Sequence, residues 1–192
     1  MTVEYRVARV SAVSEAVLRR WFSEADEARQ AQVLQIRRAQ AQKQCLCADH
    51  LAREMLHSRG VAPVFARDGN GKPYLLNSPL HFNLSHAGDF VACAVHESPV
   101  GIDLEALRSV SPALADKVCT TQEREFILDG GAFDSTRFLQ IWTVKEAYLK
   151  YLGCGLRGNL REIEVVSDGT LALNGLHLHT ALTSEYALAV VY

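Results

Sequence analysis

The chain has no Cys-x-x-Cys pair, no Gly-x-Ser-x-Gly elbow, no excess of charge of one sign and no long apolar run. Each absence closes off a class of function. The five cysteines, Cys45, Cys47, Cys93, Cys119 and Cys154, are odd in number and irregularly spaced. That argues against a disulfide framework and against a zinc site. Cys93 lies in the apolar run 90–95 and reads as a small core residue. Twenty basic residues against 22 acidic ones leave a net charge of −2. No global basic field points to nucleic acid, so any anion-binding site must be local. The first residues carry Glu4, Arg6 and Arg9 rather than the apolar core of a signal peptide. No stretch approaches the ~18 apolar residues of a membrane span. The expectation is a cytoplasmic protein that binds neither nucleic acid nor membrane.

What is present is ordinary in bulk. A hydrophobic fraction of 48% and a charged fraction of 22% fit a soluble globular protein. At 192 residues the chain has room for one domain, or for two small ones sharing a core. Val3 to Val13 alternates loosely and predicts an opening strand. Residues 14–58 are rich in Ala, Gln, Arg, Glu and Leu. Val17, Leu18 and Trp21, then Val33, Leu34 and Ile36, recur at helical spacing. The stretch is too long for one helix in a compact domain, so two or three are expected, with a break near Ser23–Asp26 and an end at Gly60 and Pro63. Asp68-Gly69-Asn70-Gly71-Lys72-Pro73 is a turn cluster. Strands are expected at 80–84, 90–95 and 100–105. Residues 111–128 read as a helix, and 138–152 as a strong helix ended by Gly153-Cys154-Gly155. The tail reads as β at 162–166, 170–173, 176–180 and 186–192.

Asp89 to Val95 resembles Glu185 to Val191 in character at each step, and each follows a strand-like segment holding histidine. Two similar α+β halves would explain the echo; so would the general likeness of buried strands.

Two elements carry candidate chemistry. In Gly101-Ile102-Asp103-Leu104-Glu105, apolar and acidic residues alternate with a period of two. On a strand Asp103 and Glu105 share a face, about 6.5–7 Å apart along the chain. Two such acids suit a hard cation such as magnesium, which takes oxygen ligands and keeps positions open for phosphate. A solvated strand face is the plainer alternative. Gly101 removes a side chain next to them and allows another backbone or a ligand to come close. On the helix 138–152, Glu146 and Lys150 are four residues apart on one face. The plainer reading is a surface ion pair. The rest of that helix is so apolar, however, that it must be largely buried, and charges on a buried helix are paired or face a site. Lys145 adds a second base beside them. Asn83-Leu84-Ser85-His86 is a polar segment next to a buried strand. Ser85 and His86 are adjacent and point to opposite faces, which speaks against a hydrolytic triad. A histidine donating to a phosphate, or a structural histidine, fits better. Gly71-Lys72-Pro73 is a turn that holds a lysine beside a rigid proline.

Taken in order, these segments resemble the 4′-phosphopantetheinyl transferases, specifically the monomeric surfactin-synthetase-activating type. The matching stretches are Gly71-Lys72-Pro73, Phe82-Asn83-Leu84-Ser85-His86, Val100 to Glu105, and Trp142 to Lys150 continuing to Gly153-Cys154-Gly155-Leu156. The family patterns are GKP, FNxSH, (V/I)G(I/V)DxE and WxxKEAxxKxxGxGL. The resemblance covers residues 70–156 well and the flanks only in general character. It implies an α+β fold: a pseudo-twofold pair of similar two-layer α/β halves, 1–100 and 101–192, with the active site in the cleft between them. It also implies a reaction. Coenzyme A donates its phosphopantetheine arm to a serine of an apo acyl or peptidyl carrier protein, and adenosine 3′,5′-bisphosphate leaves. Asp103, Glu105 and Glu146 would hold Mg²⁺. Glu146 and Lys150 would be catalytic. Gly71, Lys72 and Pro73 would lie along the nucleotide, and Ser85, His86 and Lys150 would contact the coenzyme A phosphates. Gln44 stands where family members often carry an arginine for the 3′-phosphate, leaving Lys43, with Arg37 and Arg38, as candidates for that contact. The carrier is expected to dock near residues 111–128, through Val118, Phe126 or Ile127. A single chain, acting as a monomer, would suffice. The alternatives are a binding paralogue without turnover and a metal-dependent phosphodiesterase using the same acids.

Overall fold

The computed structural model describes residues 2–69, 71–153 and 160–192. Strand β1 (Glu4–Arg9) is shorter than the alternation suggested, because the chain turns into a 3-10 element at Val10–Ala12. Ser14 then caps α1 (Glu15–Glu24), accepting from the Val17 N–H, and Asp26 caps α2 (Glu27–Gln35), accepting from the Arg29 N–H. These caps satisfy donors that the first turn of a helix leaves open, and they place the break at 25–26. A second break at Ile36–Arg38 precedes α3 (Ala39–Ser58). The turn cluster joins β2 (Phe65–Arg67) to β3 (Pro73–Leu75) in a short hairpin. The strands β4 (His81–Ala87), β5 (Phe90–His96) and β6 (Gly101–Ala106) follow.

The single helix expected over 111–128 is two, α4 (Pro112–Val118) and α5 (Thr121–Ile127). Thr120 forms a reciprocal capping box with Glu123 and so starts a new helix. A minimal hairpin of β7 (Leu128–Asp129) and β8 (Ala132–Phe133) leads to α6 (Ser135–Leu152), which is capped by Asp134 and ended by Gly153 in the left-handed region. The Cys154-Gly155-Leu156 stretch lies outside the described residues. The strand expected at 162–166 is a 3-10 turn, Leu160–Glu162, ahead of the two-residue strand β9 (Val166–Ser167), which pairs with β10 (Thr170–Leu171). The chain closes with the antiparallel pair β11 (Leu178–Leu182) and β12 (Tyr186–Val191).

Two three-stranded antiparallel sheets result, ordered β1-β5-β4 and β11-β12-β6. The sequence echo falls on their central strands, β5 and β12. Alternation sorts each of these strands into two buried faces. Val91, Cys93 and Val95 face a core containing Leu51, Met55 and Leu56 of α3. Ala187, Ala189 and Val191 face a core containing Ile141, Val144 and Ala147 of α6. The other faces meet each other: Ala92 and Ala94 pack with Ile102, Leu104, Leu188 and Val190. The molecule is therefore an α+β sandwich layered helix, sheet, sheet, helix. Its two halves repeat the order strand, helices, hairpin strands. Among the described residues no helix is long and apolar enough to cross a membrane.

Candidate active site where the two sheets meet

Strands β4 and β6 are the edges of different sheets, and side chains join them. The Ile102 N–H donates to Asn83 Oδ1 at 3.0 Å, and the Leu104 N–H donates to Ser85 Oγ at 3.2 Å. The polar segment 83–85 thus supplies side-chain acceptors to β6 amides that need buried partners.

Behind β6 lies α6. A Cβ built on Gly101 would sit 1.9 Å from the Ala147 carbonyl oxygen and 2.5 Å from the Tyr151 nitrogen. The close approach read from Gly101 is that of a second backbone. It carries the face of α6 that bears Glu146 and Lys150 up to Asp103.

Asp103 is 6% exposed. Its Oδ1 accepts from Ser85 Oγ at 2.8 Å and from Lys150 Nζ at 2.7 Å. Lys150 Nζ also donates to the Ile102 carbonyl at 3.1 Å. Among the described residues, two carboxylate oxygens, Asp103 Oδ2 and Glu146 Oε1, are buried without a hydrogen-bond partner. Burial pushes the Glu146 carboxyl up to about 7; the negative charges of Asp103 and Glu105 add to this, and Lys150 opposes it. Glu105, half-buried, is also raised, by burial first and then by Asp103, against the pull of Arg108 and Lys150. Three acids that repel one another in this way share one electrostatic neighbourhood.

Among the described residues, no three of His, Cys, Asp and Glu stand as a ready-made metal shell. Asp103 Oδ1 is engaged by an ammonium and a hydroxyl. The donor chemistry nevertheless fits a hard divalent cation. Buried carboxylate oxygens without partners are costly, and oxygen-rich acidic sites suit magnesium.

The remaining predicted residues fall in different places. Lys72 Nζ donates to the carbonyl of Lys150, which brings the Gly71-Lys72-Pro73 turn to the end of α6. Gly71 has φ +83, and its carbonyl accepts from Arg67 Nη1 at 2.7 Å. His86 is exposed. Its imidazole is biased toward the neutral form by partial desolvation and then by Lys150, against Asp103. Ser85 is buried at 6%, and its hydroxyl already has partners in Asp103 and Leu104. Lys43 pairs at the surface with Glu15 of α1. Gln44 donates to the Gly88 carbonyl at 2.9 Å.

Pro73 lines a cavity of about 440 Å³ whose walls include Phe65, Ala52, Phe82, Arg29, Arg53 and Arg67. Lys43 is not in its lining. Arg29 is tied to Asp49 and to the Cys45 carbonyl, while its Nε is buried without a partner. Arg53 pairs with Asp49 and lies over the Phe65 ring. These arginines gave no motif in the sequence. The spacing of Asp49 and Arg53, four apart on α3, was their one visible signal.

Two readings are corrected. Lys145 does not stand beside Glu146 as a second base. It is fully buried, pairs with the equally buried Glu123 at 2.6 Å, and donates to the carbonyls of Val118 and Leu160 at 2.8 and 2.7 Å. Successive residues on a helix diverge by about 100°, so Glu146 faces β6 while Lys145 faces α5. Glu123 also accepts from the Thr120 and Val165 N–H groups. Its signature was the Thr120-x-x-Glu123 capping box. The second correction concerns docking: Val118 and Ile127 belong to the core at 8% and 1% exposure and present no surface to a partner. Phe126 is partly buried.

Residues 99–191 match the 4′-phosphopantetheinyl transferase superfamily. The chain is 32% identical over 184 residues to the 4′-phosphopantetheinyl transferase pptA of Paxillus involutus, with 77% of this chain and 69% of that one covered. With this fold, this site and these matches, the chain belongs to the 4′-phosphopantetheinyl transferase superfamily. Within it, the chain resembles the Sfp type over part of its length. It is 35% identical over 120 residues to psf-1 of Bacillus pumilus, covering 59% of this chain and 52% of that one. It is 34% identical over 94 residues to Sfp of Bacillus subtilis, covering 48% and 42%. The chain thus spans about half the length of these bacterial relatives.

Proposed function

We propose that this protein transfers the 4′-phosphopantetheine group from coenzyme A to a serine hydroxyl of an apo carrier protein, in a magnesium-dependent reaction that releases adenosine 3′,5′-bisphosphate. The observation that carries the reading is the pair of partnerless buried oxygens, Asp103 Oδ2 and Glu146 Oε1, on two elements forced together at Gly101 and flanked by Lys150.

In this reading the serine oxygen attacks the pantetheine-side phosphorus. A new P–O bond forms, and the pyrophosphate P–O bond breaks toward the bisphosphate. A magnesium ion held by Asp103, Glu105 and Glu146 would neutralise pyrophosphate charge and make the phosphorus more electrophilic. Glu146 would accept the serine proton as general base. Lys150 and Lys72 would offset the charge that grows on the leaving bisphosphate. His86, exposed on the same edge, would donate to a phosphate oxygen. The cavity beside Pro73 offers apolar walls for a base and guanidinium groups for a phosphate. It is the proposed seat of the nucleotide end, with Arg29, Arg53 and Arg67 in place of Lys43. One chain supplies both edges of the site, which supports action as a monomer.

The test is incubation with coenzyme A, Mg²⁺ and a panel of apo carrier proteins, read by intact mass. A carrier that gains the phosphopantetheine mass supports the proposal. No gain with any carrier, with coenzyme A still bound, would mark a binding paralogue. Phosphopantetheine released to water without a carrier would mark a phosphodiesterase.

A further inference from the structure

The Asp103 carboxylate is asymmetric. Oδ1 receives two donors, the Ser85 hydroxyl at 2.8 Å and the Lys150 ammonium at 2.7 Å, whereas Oδ2 is buried and receives none. The ammonium comes from α6, the element that also brings Glu146. The hydroxyl comes from β4, the edge of the other sheet. Ser85 is itself fixed: the Leu104 N–H donates to Ser85 Oγ at 3.2 Å, which leaves the hydroxyl proton directed at Asp103. A hydroxyl has one proton to donate and lone pairs to accept with. Both capacities are taken up inside the protein, so Ser85 has no donor left for a ligand.

Asn83, two residues earlier on the same strand, makes the same kind of bridge, accepting from the Ile102 N–H at 3.0 Å. No carboxylate is among its bonds. The two residues therefore share one task, holding β6 to β4, and differ in a second task that only Ser85 performs.

We propose that Ser85 is a positioning residue that fixes the rotation of the Asp103 carboxylate, keeping Oδ1 turned toward protein donors and Oδ2 available to a divalent cation. The proposal rests on the transferase reading for the identity of the cation, and it replaces a phosphate contact by Ser85. Partners that orient a metal-ligating carboxylate typically change metal affinity about 10–100-fold when removed.

The experiment uses Mn²⁺ as the spectroscopic probe. It is titrated into the full chain with coenzyme A present and no carrier, and free Mn²⁺ is read by electron paramagnetic resonance. Ser85→Ala, Asn83→Ala and Ser85→Thr are compared with the parent, and each variant's melting temperature is recorded. Ser85→Ala is expected to weaken Mn²⁺ binding at least about tenfold. Asn83→Ala is expected to lower the melting temperature by a similar amount while changing Mn²⁺ affinity less than about twofold, as removal of a bridge with no ligand contact should. Ser85→Thr keeps the hydroxyl and should restore most of the affinity. Equal losses in Ser85→Ala and Asn83→Ala would overturn the proposal, because loosened strand pairing would then explain both. Parent-like affinity in Ser85→Ala would overturn it as well, as would a well-folded Ser85→Thr with no recovery. Failure of the parent chain to bind Mn²⁺ at all would count against the transferase reading itself.

Discussion

A methyl group on Gly101 would lie 1.9 Å from the carbonyl oxygen of Ala147. That spacing is far below any van der Waals contact, and the obstacle is backbone rather than a side chain that could swing aside. Gly101→Ala must therefore push α6 off β6. Ordinary overpacking costs about 1–3 kcal/mol, and this substitution should cost at least that. For a chain of this size each kcal/mol is worth roughly 2–4 °C in melting temperature. Calorimetry should show the drop. Activity should fall further than stability at assay temperature explains, because Glu146 and Lys150 move with the helix.

The fully buried Lys145–Glu123 pair, 2.6 Å apart, ties α6 to the start of α5 and to the chain at Val118, Leu160 and Val165. Removing one partner leaves the other charged and buried without its counter-ion. Lys145→Met should cost about 3–5 kcal/mol. Glu123→Gln should also destabilise. The double variant should lose clearly less than the two losses combined, since contacting residues couple by about 0.5–3 kcal/mol. Denaturant unfolding of the four proteins completes the cycle.

Glu146→Gln keeps the shape of the side chain and removes both its charge and its basicity. Phosphopantetheine transfer should fall on the order of 10²–10⁴-fold, with far-ultraviolet dichroism and melting temperature preserved or improved. A variant that transfers at the parent rate would remove Glu146 from the mechanism.

The same residue sets a pH dependence in magnesium-free buffer. Its carboxyl is raised from the usual 4.5 to about 7 in the fold. Between those values the folded state holds a proton that the unfolded chain has released, so this group's contribution to stability declines as pH rises across the window. Glu105 is raised and acts in the same direction. His86 is lowered and acts in the opposite direction below its usual 6.5. The difference between the parent and Glu146→Gln isolates Glu146. The parent's melting temperature should fall relative to the variant's as pH goes from about 4.5 to 7. Parallel curves would show that Glu146 titrates normally.

Asp103→Ala removes the best-buried acid of the site and leaves Lys150 without its anionic partner. Activity should fall, and the magnesium concentration for half-maximal rate should rise about 10–100-fold, the range for loss of a well-oriented contact at a metal site. An unchanged magnesium response in the residual activity would place the metal elsewhere.

Much of the fold was legible because its signals are local. The break between α1 and α2 was marked by Asp26, a capping residue, and the end of α6 by Gly153, which enters the left-handed region more readily than other residues. The strands β4, β5, β6 and β12 were visible as alternating or wholly apolar runs. The break between α4 and α5 was missed because Thr120 and Glu123 read as ordinary members of a helical pattern until their mutual bonds are seen. The acids of the site were legible by type and spacing. The three arginines of the Pro73 cavity were not, because α2, α3 and β2 meet only in space.

The sequence by itself determined which residues carry charge on otherwise apolar elements, and where a glycine must stand among them, because those are properties of neighbours along the chain. Tertiary structure decided what each charge faces. Lys145 and Glu146 are adjacent in sequence, yet one closes a buried ion pair with Glu123 and the other joins Asp103 and Glu105. Ser85 and His86 are adjacent, yet one is engaged by Asp103 and the other opens to solvent. A helix turns about 100° per residue and a strand about 180°, so partners are chosen by the elements packed on either side, and that packing is not written in local spacing.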